Sequence, residues 1–332
     1  MSVSRTDALL GVRVSAVADV LPTTLAAMKI GFGAPVAGAW ATPENLGRFA
    51  ARAQDSGYHS LWAFHRLLVP AEGHVDPVYR SVLDPLVALG FAAARTSTVR
   101  LGVAIVNLPF VPPPYLAKQA ATLDVLSGGR FDLGLGTGWS PAEFTASGAD
   151  PARRGARAEE YVAALRSFWA GEVDGFAGEF YRADPSRMAP RPVQRPGPPI
   201  LLGGAVPAAL RRAGRLADGW LSRSATDLSK IAGQAAIVRE AAAEAGKDPA
   251  LVRIVCRGVV RIGPKVAVGP DGERLRLSGS YEQIREDAGW LGEQGVTELF
   301  YDLNWDPLIG GPDADPVAAV ERAEEILAGL AP

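Results

Sequence analysis

The 332-residue chain contains a single cysteine, Cys256, so it cannot form an internal disulfide. A metal site built from cysteines is not expected for the same reason. The chain has three histidines, His59, His65 and His74, which lack an HExxH motif or another spacing typical of metal ligands. We therefore expect no bound metal.

A strong charge of either sign is also missing, since 34 Lys and Arg against 36 Asp and Glu give a formal net charge of −2. This balance lacks the electrostatic signature of a nucleic-acid-binding protein. No apolar run reaches the roughly 18 residues that span a bilayer. We expect a cytoplasmic protein that binds neither nucleic acid nor membrane.

The first 27 residues lack the strand and helix patterns of the remaining chain. The stretch ALLGVRVSAVADVL is interrupted by Arg13 and Asp19, whereas a signal peptide has an uninterrupted apolar stretch. A strand pattern begins only at MKIGFG, with Met28. We interpret residues 1–27 as an N-terminal extension, either disordered or an over-long start.

Beyond residue 27, apolar strand-like runs alternate with helical segments. A hydrophobic content of 48% is enough for a large buried core. The eight strand-like runs, each followed by a helical segment, are KIGFG, HSLWAF, RLGVAIVNL, RFDLGLG, PPILLGG, DGWLSR, VRIVCRGVVRIG and TELFYDL. Because consecutive parallel strands must be connected by crossover helices, residues 28–332 are predicted to form a single α/β domain, a (β/α)₈ TIM barrel.

Two stretches do not fit the repeating unit. Residues 174–198 are rich in proline and turn residues, and residues 264–279 contain a PDG turn between short runs that predict a hairpin. We interpret both as insertions. The second follows the seventh strand and should therefore lie at the catalytic end of the barrel, as should residues 66–82 after the second strand.

The stretch SGGRFDLGLGTGW, residues 127–139, superficially resembles a dinucleotide-binding loop. Its spacing is G-L-G-T-G rather than G-x-G-x-x-G, it follows the fourth strand, and no acidic residue ends the next strand. A tight structural turn is one interpretation. The other is that Gly136, Thr137 and Gly138 let a flat ring approach the backbone.

A second pair of glycines, Gly203 and Gly204, stands between the fifth strand and the next helix. Backbone N–H groups at such a helix start can bind an anion, and phosphates in barrels often bind to the loops of the later strands. A plain turn is the alternative. We favour a phosphate site because both glycine loops lie at the same rim.

Four other side chains follow barrel strands. His65 is either a structural hydrogen-bonding residue or a group that exchanges a proton near neutral pH. Asn107 ends the third strand and either turns the chain or faces the site. Trp139 and Trp305 follow the fourth and eighth strands, where each is either a packing residue or part of a ligand wall.

Taken together, the blocks SLWAFHRLLVP, LAKQAATLDVLSGGRFDLGLGTGWSPAEF and PPILLGG…ALRRAGRLADGW resemble the luciferase-like monooxygenase superfamily, especially its coenzyme F420-dependent branch. The resemblance covers about residues 28–330. It implies a barrel of the bacterial luciferase type, usually a homodimer, that holds a flavin or deazaflavin across the strand ends.

The resemblance also implies roles for individual residues. His65 would lie beside the cofactor ring, and Ala104 and Ile105 would form the bulge on which the ring rests, joined by a non-proline cis peptide bond. Asn107, Gly136, Thr137 and Gly138 would complete the cofactor site, with Gly203 and Gly204 at the phosphate.

Two positions depart from the family pattern. Phe64 stands where the family often has Asp, and Trp139 stands where the sugar-phosphate dehydrogenases have Glu. The second difference argues against sugar-phosphate oxidation and leaves the acid unidentified. We expect Phe64, Trp139 and Trp305 to form a substrate pocket of apolar character.

The implied activity is hydride transfer between F420 and a small organic substrate that the sequence does not identify. The first alternative is a monooxygenase that uses reduced FMN and oxygen. The second, from a different class, is a flavin-binding barrel without turnover.

Overall fold

The structure is a computed structural model that describes residues 28–171, 174–263, 266–269 and 272–332. The predicted N-terminal extension, residues 1–27, lies outside the described residues. Within the described ranges, eight parallel strands close a barrel. They are β1 (Lys29–Gly33), β2 (Ser60–Ala63), β3 (Arg100–Asn107), β4 (Phe131–Gly136), β7 (Ile200–Gly203), β8 (Gly219–Leu221), β9 (Arg253–Val259) and β12 (Glu298–Asp302). Around the barrel, neighbouring strands follow the order β1-β12-β9-β8-β7-β4-β3-β2.

Helices surround this barrel. They are α1 (Pro43–Asp55), α2 (Pro85–Ala93), α3 (Pro113–Leu126), α4 (Pro141–Ala146), α5 (Arg154–Ala170), α6 (Pro207–Leu216), α7 (Ile231–Glu244), α8 (Tyr281–Glu293) and α9 (Pro316–Gly329). The predicted (β/α)₈ TIM barrel is therefore confirmed. None of the helices in the described ranges is long and apolar enough to span a bilayer.

Local sequence signals explain where several helices begin. Thr42 caps α1 by accepting a hydrogen bond from the Asn45 N–H. Asp84 and Asp315 each precede a proline and cap α2 and α9, where each carboxylate accepts two backbone N–H groups. Such caps satisfy donors that have no partner inside the helix.

The predicted seventh strand is shorter than its apolar run. β9 ends at Val259, and Arg261–Ile262 forms a separate strand, β10, that pairs in parallel with β11 (Ser278–Gly279). Between them, an antiparallel bridge joins Val268 to Arg274, as the PDG turn predicts. The insertion after β4 contains a short antiparallel hairpin of β5 (Phe176–Ala177) and β6 (Arg182–Ala183).

A layer of ion pairs fills the N-terminal end of the barrel. The fully buried Asp132 carboxylate accepts hydrogen bonds from the guanidinium groups of Arg100 and Arg253. Arg253 also donates to Glu298, at 2.9 Å. Burial alone would raise the pKa of Asp132, but the charges of Arg253 and Arg100 outweigh it and hold the pKa below its usual value.

We expect Asp132→Asn to lower the free energy of unfolding by about 3–5 kcal/mol, because it leaves two arginines short of a buried partner. The ion-pair stabilisation is present above about pH 4 and is lost as the pH falls through the lowered pKa of the folded state. Urea unfolding at pH 7 and at lower pH measures both effects. Asp313→Asn is the control, since the Asp313 side chain is 91% exposed, and equal stability of the two variants would contradict this account.

Candidate active site

A cavity of about 410 Å³ opens at the C-terminal ends of the barrel strands, a volume in the range of small-molecule sites. It brings together most of the residues predicted from the sequence. Those that line it are Phe64, His65, Ala104, Ile105, Asn107, Gly136, Thr137, Gly138, Trp139, Gly203 and Gly204. Trp305 lies behind this wall and packs against Phe64, with ring centroids 5.0 Å apart.

The floor of the cavity is a bulge in β3. The pairing of β3 with β4 shifts register between Val103 and Val106, and the residues between them are Ala104 and Ile105. The peptide bond that joins these two residues is cis, which confirms the prediction made from the family resemblance. Both side chains line the cavity.

Gly136 lines the cavity, as predicted for a residue that a ring approaches, and it also has a packing function. A Cβ atom on Gly136 would lie 2.4 Å from Ile105 Cδ1, so the missing side chain there makes room for Ile105. One on Gly134 would lie 2.1 Å from the Val103 carbonyl oxygen and 3.3 Å from Ile105 Cγ2, so that glycine makes room first for the backbone of β3. Gly138 has a φ of +70°, which favours glycine at the turn after β4.

The loop after β7 has the features of an anion site. Gly204 adopts a φ of +136°, and a Cβ there would come within 2.5 Å of Ala209 Cβ. α6 begins at Pro207 without a side-chain cap, so no side chain satisfies the N–H groups of its first turn. The loop borders the cavity, and Arg223 lies at the mouth. Backbone N–H groups and a nearby cation fit a phosphate.

His65 is half-buried, and its Nδ1 accepts a hydrogen bond of 3.3 Å from the backbone N–H of Asn107. Burial lowers the pKa of His65, the carboxylates of Asp84 and Glu143 oppose this shift, and the Arg66 guanidinium adds to it. The ring also lines a second cavity, of about 420 Å³, together with Asp84 at the start of α2.

A buried ion pair next to His65 was missed in the sequence. The Arg66 guanidinium donates to Glu143 at 2.8 Å, and the other carboxylate oxygen of Glu143 accepts the Leu67 N–H, also at 2.8 Å. The guanidinium carbon lies 4.3 Å from the ring centroid of Tyr79 and 4.6 Å from that of Trp139. The contact with Arg66 holds the Trp139 ring at the cavity, although Trp139 is 62% exposed to solvent.

Arg257 supports the floor and was also missed. Its guanidinium donates to Asp302 at 2.7 Å and to the Ala104 carbonyl at 3.2 Å, and it lies 4.2 Å from the ring of Trp305. The sequence does contain a signal for Arg257. Arg257 and Asp302 are charged residues inside the apolar runs VRIVCRGVV and TELFYDL, and charged residues in barrel strands point into the interior because helices cover the outside.

The model of the family described as luciferase-like monooxygenase matches residues 24–269. The chain belongs to this family. An uncharacterized protein of Mycobacterium tuberculosis, Rv0953c, is 39% identical over 257 residues, which cover 77% of this chain and 79% of that protein.

Members of the luciferase-like family with different cofactors are similar to parts of the chain. The FMNH(2)-dependent dimethylsulfone monooxygenase of Pseudomonas putida is 35% identical over 46% of this chain and 42% of its own length. The F420-dependent glucose-6-phosphate dehydrogenase of Nakamurella multipartita is 35% identical over 55% of this chain and 52% of its own length.

Solved structures agree with the family fold. Monooxygenase RslO1 from Streptomyces bottropensis has a TM-score of 0.73 at 25% identity, covering 91% of this chain and 98% of that chain. An F420-dependent secondary alcohol dehydrogenase, solved with an F420-acetone adduct, has a TM-score of 0.72 at 19% identity, covering 91% and 99%.

We expect Glu143→Gln to lower the free energy of unfolding by about 3–5 kcal/mol, because Arg66 would lose the charge that compensates its burial. Urea unfolding measures the loss. The control is Glu159→Gln, since the Glu159 side chain is 39% exposed where it meets Arg212 and Arg215, and exposed pairs contribute less than about 1 kcal/mol. Similar losses in both variants would show that the buried ion pair contributes no more to stability than the exposed one.

Proposed function

We propose that the protein is an oxidoreductase that transfers a hydride between coenzyme F420 and a small organic substrate. The observation that carries this proposal is the convergence of the β3 bulge, both glycine loops and His65 on one cavity. The F420-dependent proteins among its relatives and structural neighbours support it.

The residues present fit such a cofactor. The Ala104–Ile105 bulge offers a flat apolar support for a ring, and Gly203 and Gly204 would bind the phosphate through their N–H groups. Asn107, Gly136, Thr137 and Gly138 line the same cavity, and we propose that the ribityl chain binds along them. When bound, the deazaflavin supplies or accepts the hydride.

The protein's own contribution is to position a substrate and exclude water. Phe64, Tyr79 and Trp139 place aromatic rings on one side of the cavity, beside His65. We propose that a substrate with an apolar part packs against these rings, with its polar end toward His65.

A monooxygenase that uses reduced FMN is the second candidate, because the FMNH(2)-dependent relative is as similar in sequence as the F420-dependent one. Both cofactors carry a phosphate after a ribityl chain, so the glycine loops fit either. The two candidates differ in whether oxygen is a substrate.

Parallel titration of the purified protein with F420 and FMN tests the cofactor. We expect F420 to bind with a dissociation constant of about 1 µM or tighter, and FMN at least tenfold more weakly, a difference of about 1.4 kcal/mol. Equal or tighter FMN binding would favour the monooxygenase. F420 binding without hydride transfer to any substrate would favour a barrel without turnover.

Gly203→Asp tests the phosphate site. A Cβ on Gly203 would meet its nearest neighbour at 3.5 Å, so the fold can accept it, but the carboxylate would repel a phosphate. We expect cofactor affinity to fall tenfold or more, since a charge-assisted hydrogen bond contributes roughly 1.5–3 kcal/mol. Gly203→Ala, which adds the Cβ without charge, should change the affinity only a few-fold. A similar loss in both variants would mean that shape, not charge, is responsible.

We also propose a cytoplasmic homodimer, on the grounds of composition and family resemblance. Exposed apolar side chains on α2 and α3 support a contact with a second copy, because Val87, Tyr115 and Leu126 are 74%, 67% and 67% exposed. Sedimentation velocity should give twice the chain mass of 34.8 kDa. We expect Val87→Glu combined with Leu126→Glu to shift the equilibrium toward monomer, and a dimer unaffected by both would place the contact elsewhere.

A further inference from the structure

Arg66 is a buried arginine whose hydrogen-bond donors are mostly unused. It is 8% exposed and lines the cavity at the strand ends. Its Nη1 donates to Glu143, whereas Nε is buried without a hydrogen-bond partner and Nη2 donates to no described residue. A buried donor without an acceptor is destabilising, so each such group in a folded protein needs an explanation.

Other arginines in the described ranges do not share this feature. Arg130 donates from all three of its guanidinium nitrogens, and Arg257 donates from Nε and Nη1. Among the described arginines that are not exposed, Nε of Arg66 is the one buried guanidinium nitrogen without a partner. The ring contacts of Arg66 fix its position but supply no oxygen or nitrogen acceptor.

The surroundings of Arg66 indicate what kind of molecule would supply the acceptor. The Tyr79 ring centroid lies 6.3 Å from that of Phe64 and 6.2 Å from that of Trp139, and all three residues line the cavity with Arg66. Aromatic rings bind planar apolar groups by stacked or edge-on contacts. A ligand with a planar body and an oxygen atom would fill this space and also satisfy the guanidinium.

The buried charges around the cavity favour an uncharged oxygen over a carboxylate. Arg66 is paired with Glu143, and Arg257 is paired with Asp302, and both carboxylates are buried. The two pairs are neutral, so a carboxylate bound among them would be a buried charge without a compensating partner. A carbonyl oxygen accepts a hydrogen bond without bringing a charge.

We propose that Arg66 determines substrate specificity by donating a hydrogen bond from Nε to an uncharged carbonyl oxygen of a substrate whose planar body packs among Phe64, Tyr79 and Trp139. This deepens the proposed function, on which it rests, because it names the substrate class of the same cavity. The free donors of Arg66 then reject analogues without the oxygen, since binding such an analogue would leave the donors buried and unpaired.

The first measurement is NMR of the arginine Nε–H groups, recorded for the protein alone and for the protein saturated with F420. The Arg66 signal is assigned from its loss in Arg66→Lys, which keeps a positive charge opposite Glu143. The probes are acetophenone and α-methylstyrene, in which a CH₂ group replaces the carbonyl oxygen. We expect acetophenone to move the Arg66 Nε proton downfield, as a new hydrogen bond does, and α-methylstyrene not to.

The second measurement compares the dissociation constants of the two probes, followed through the indole N–H of Trp139. We use Arg66→Met combined with Glu143→Gln, which removes both charges together and leaves a side-chain carbonyl to accept the Leu67 N–H. The preference for acetophenone over α-methylstyrene should fall about tenfold in this variant, the effect of one hydrogen bond to a charged donor. Using the ratio cancels the different hydrophobicities of the probes.

Arg215→Met combined with Glu159→Gln is the matched control. These side chains form an ion pair at 2.9 Å but are 45% and 39% exposed, and neither residue lines the cavity. The preference for acetophenone should therefore equal that of the wild type. Benzoate, which is similar in size but charged, should bind to the wild type more weakly than acetophenone.

A downfield shift in neither state of the wild type, or an unchanged preference in the folded double variant, would overturn the role of Arg66. If the double variant does not fold, the wild-type shift decides. Benzoate that binds more tightly than acetophenone would overturn the uncharged acceptor. A shift produced by F420 alone, without further change on adding acetophenone, would give the acceptor to the cofactor and overturn the assignment to substrate. Failure of F420 to bind would overturn the proposed function, while the titrations of the protein alone would still decide the role of Arg66.

Discussion

The packing of the Ile105 side chain against two neighbouring strands is the contact on which the cavity floor depends. Ile105 fills space left by the absent side chains of Gly134 and Gly136 on β4, and it also faces Gly203 on β7. Interiors are close-packed, so a larger residue at Gly136 would displace Ile105, whereas Gly203 leaves room for a Cβ at ordinary contact distance. Gly136 thus shapes the site through the residue beside it, and the Arg257 guanidinium supports the same bulge by donating to the Ala104 carbonyl.

The two ends of the barrel differ in how their buried charges are arranged. At the N-terminal end, Asp132 and Glu298 join four strands, β3, β4, β9 and β12, through Arg100 and Arg253. At the C-terminal end, the ion pairs Arg66–Glu143 and Arg257–Asp302 are buried next to an open cavity, and both arginines line it. Because the ion pairs at the first end do not touch the cavity, the loops at the other end can change without loosening the strand register, which is how this fold accommodates many substrates.

The architecture could be predicted from the sequence because each strand and helix has its own local pattern. The glycine loops and the cis bond could be placed because the family motifs fix their positions. The Arg66–Glu143 pair could not, since its partners lie 77 residues apart in the chain and only the fold brings the segment after β2 to α4. The packing of Ile105 against Gly136 could not be predicted for a related reason. A glycine in a sequence indicates that another group approaches the backbone, and only the fold shows that Ile105 is one such group. The approach of a ring to Gly136 stays a prediction.

His65 lines two cavities. One lies at the strand ends, and the other lies between the starts of α2 and α3. A shorter residue at this position would remove part of the wall of each cavity and the acceptor of the Asn107 N–H. A single substitution at residue 65 would therefore change the shape of both spaces, so the two cavities are coupled through one side chain.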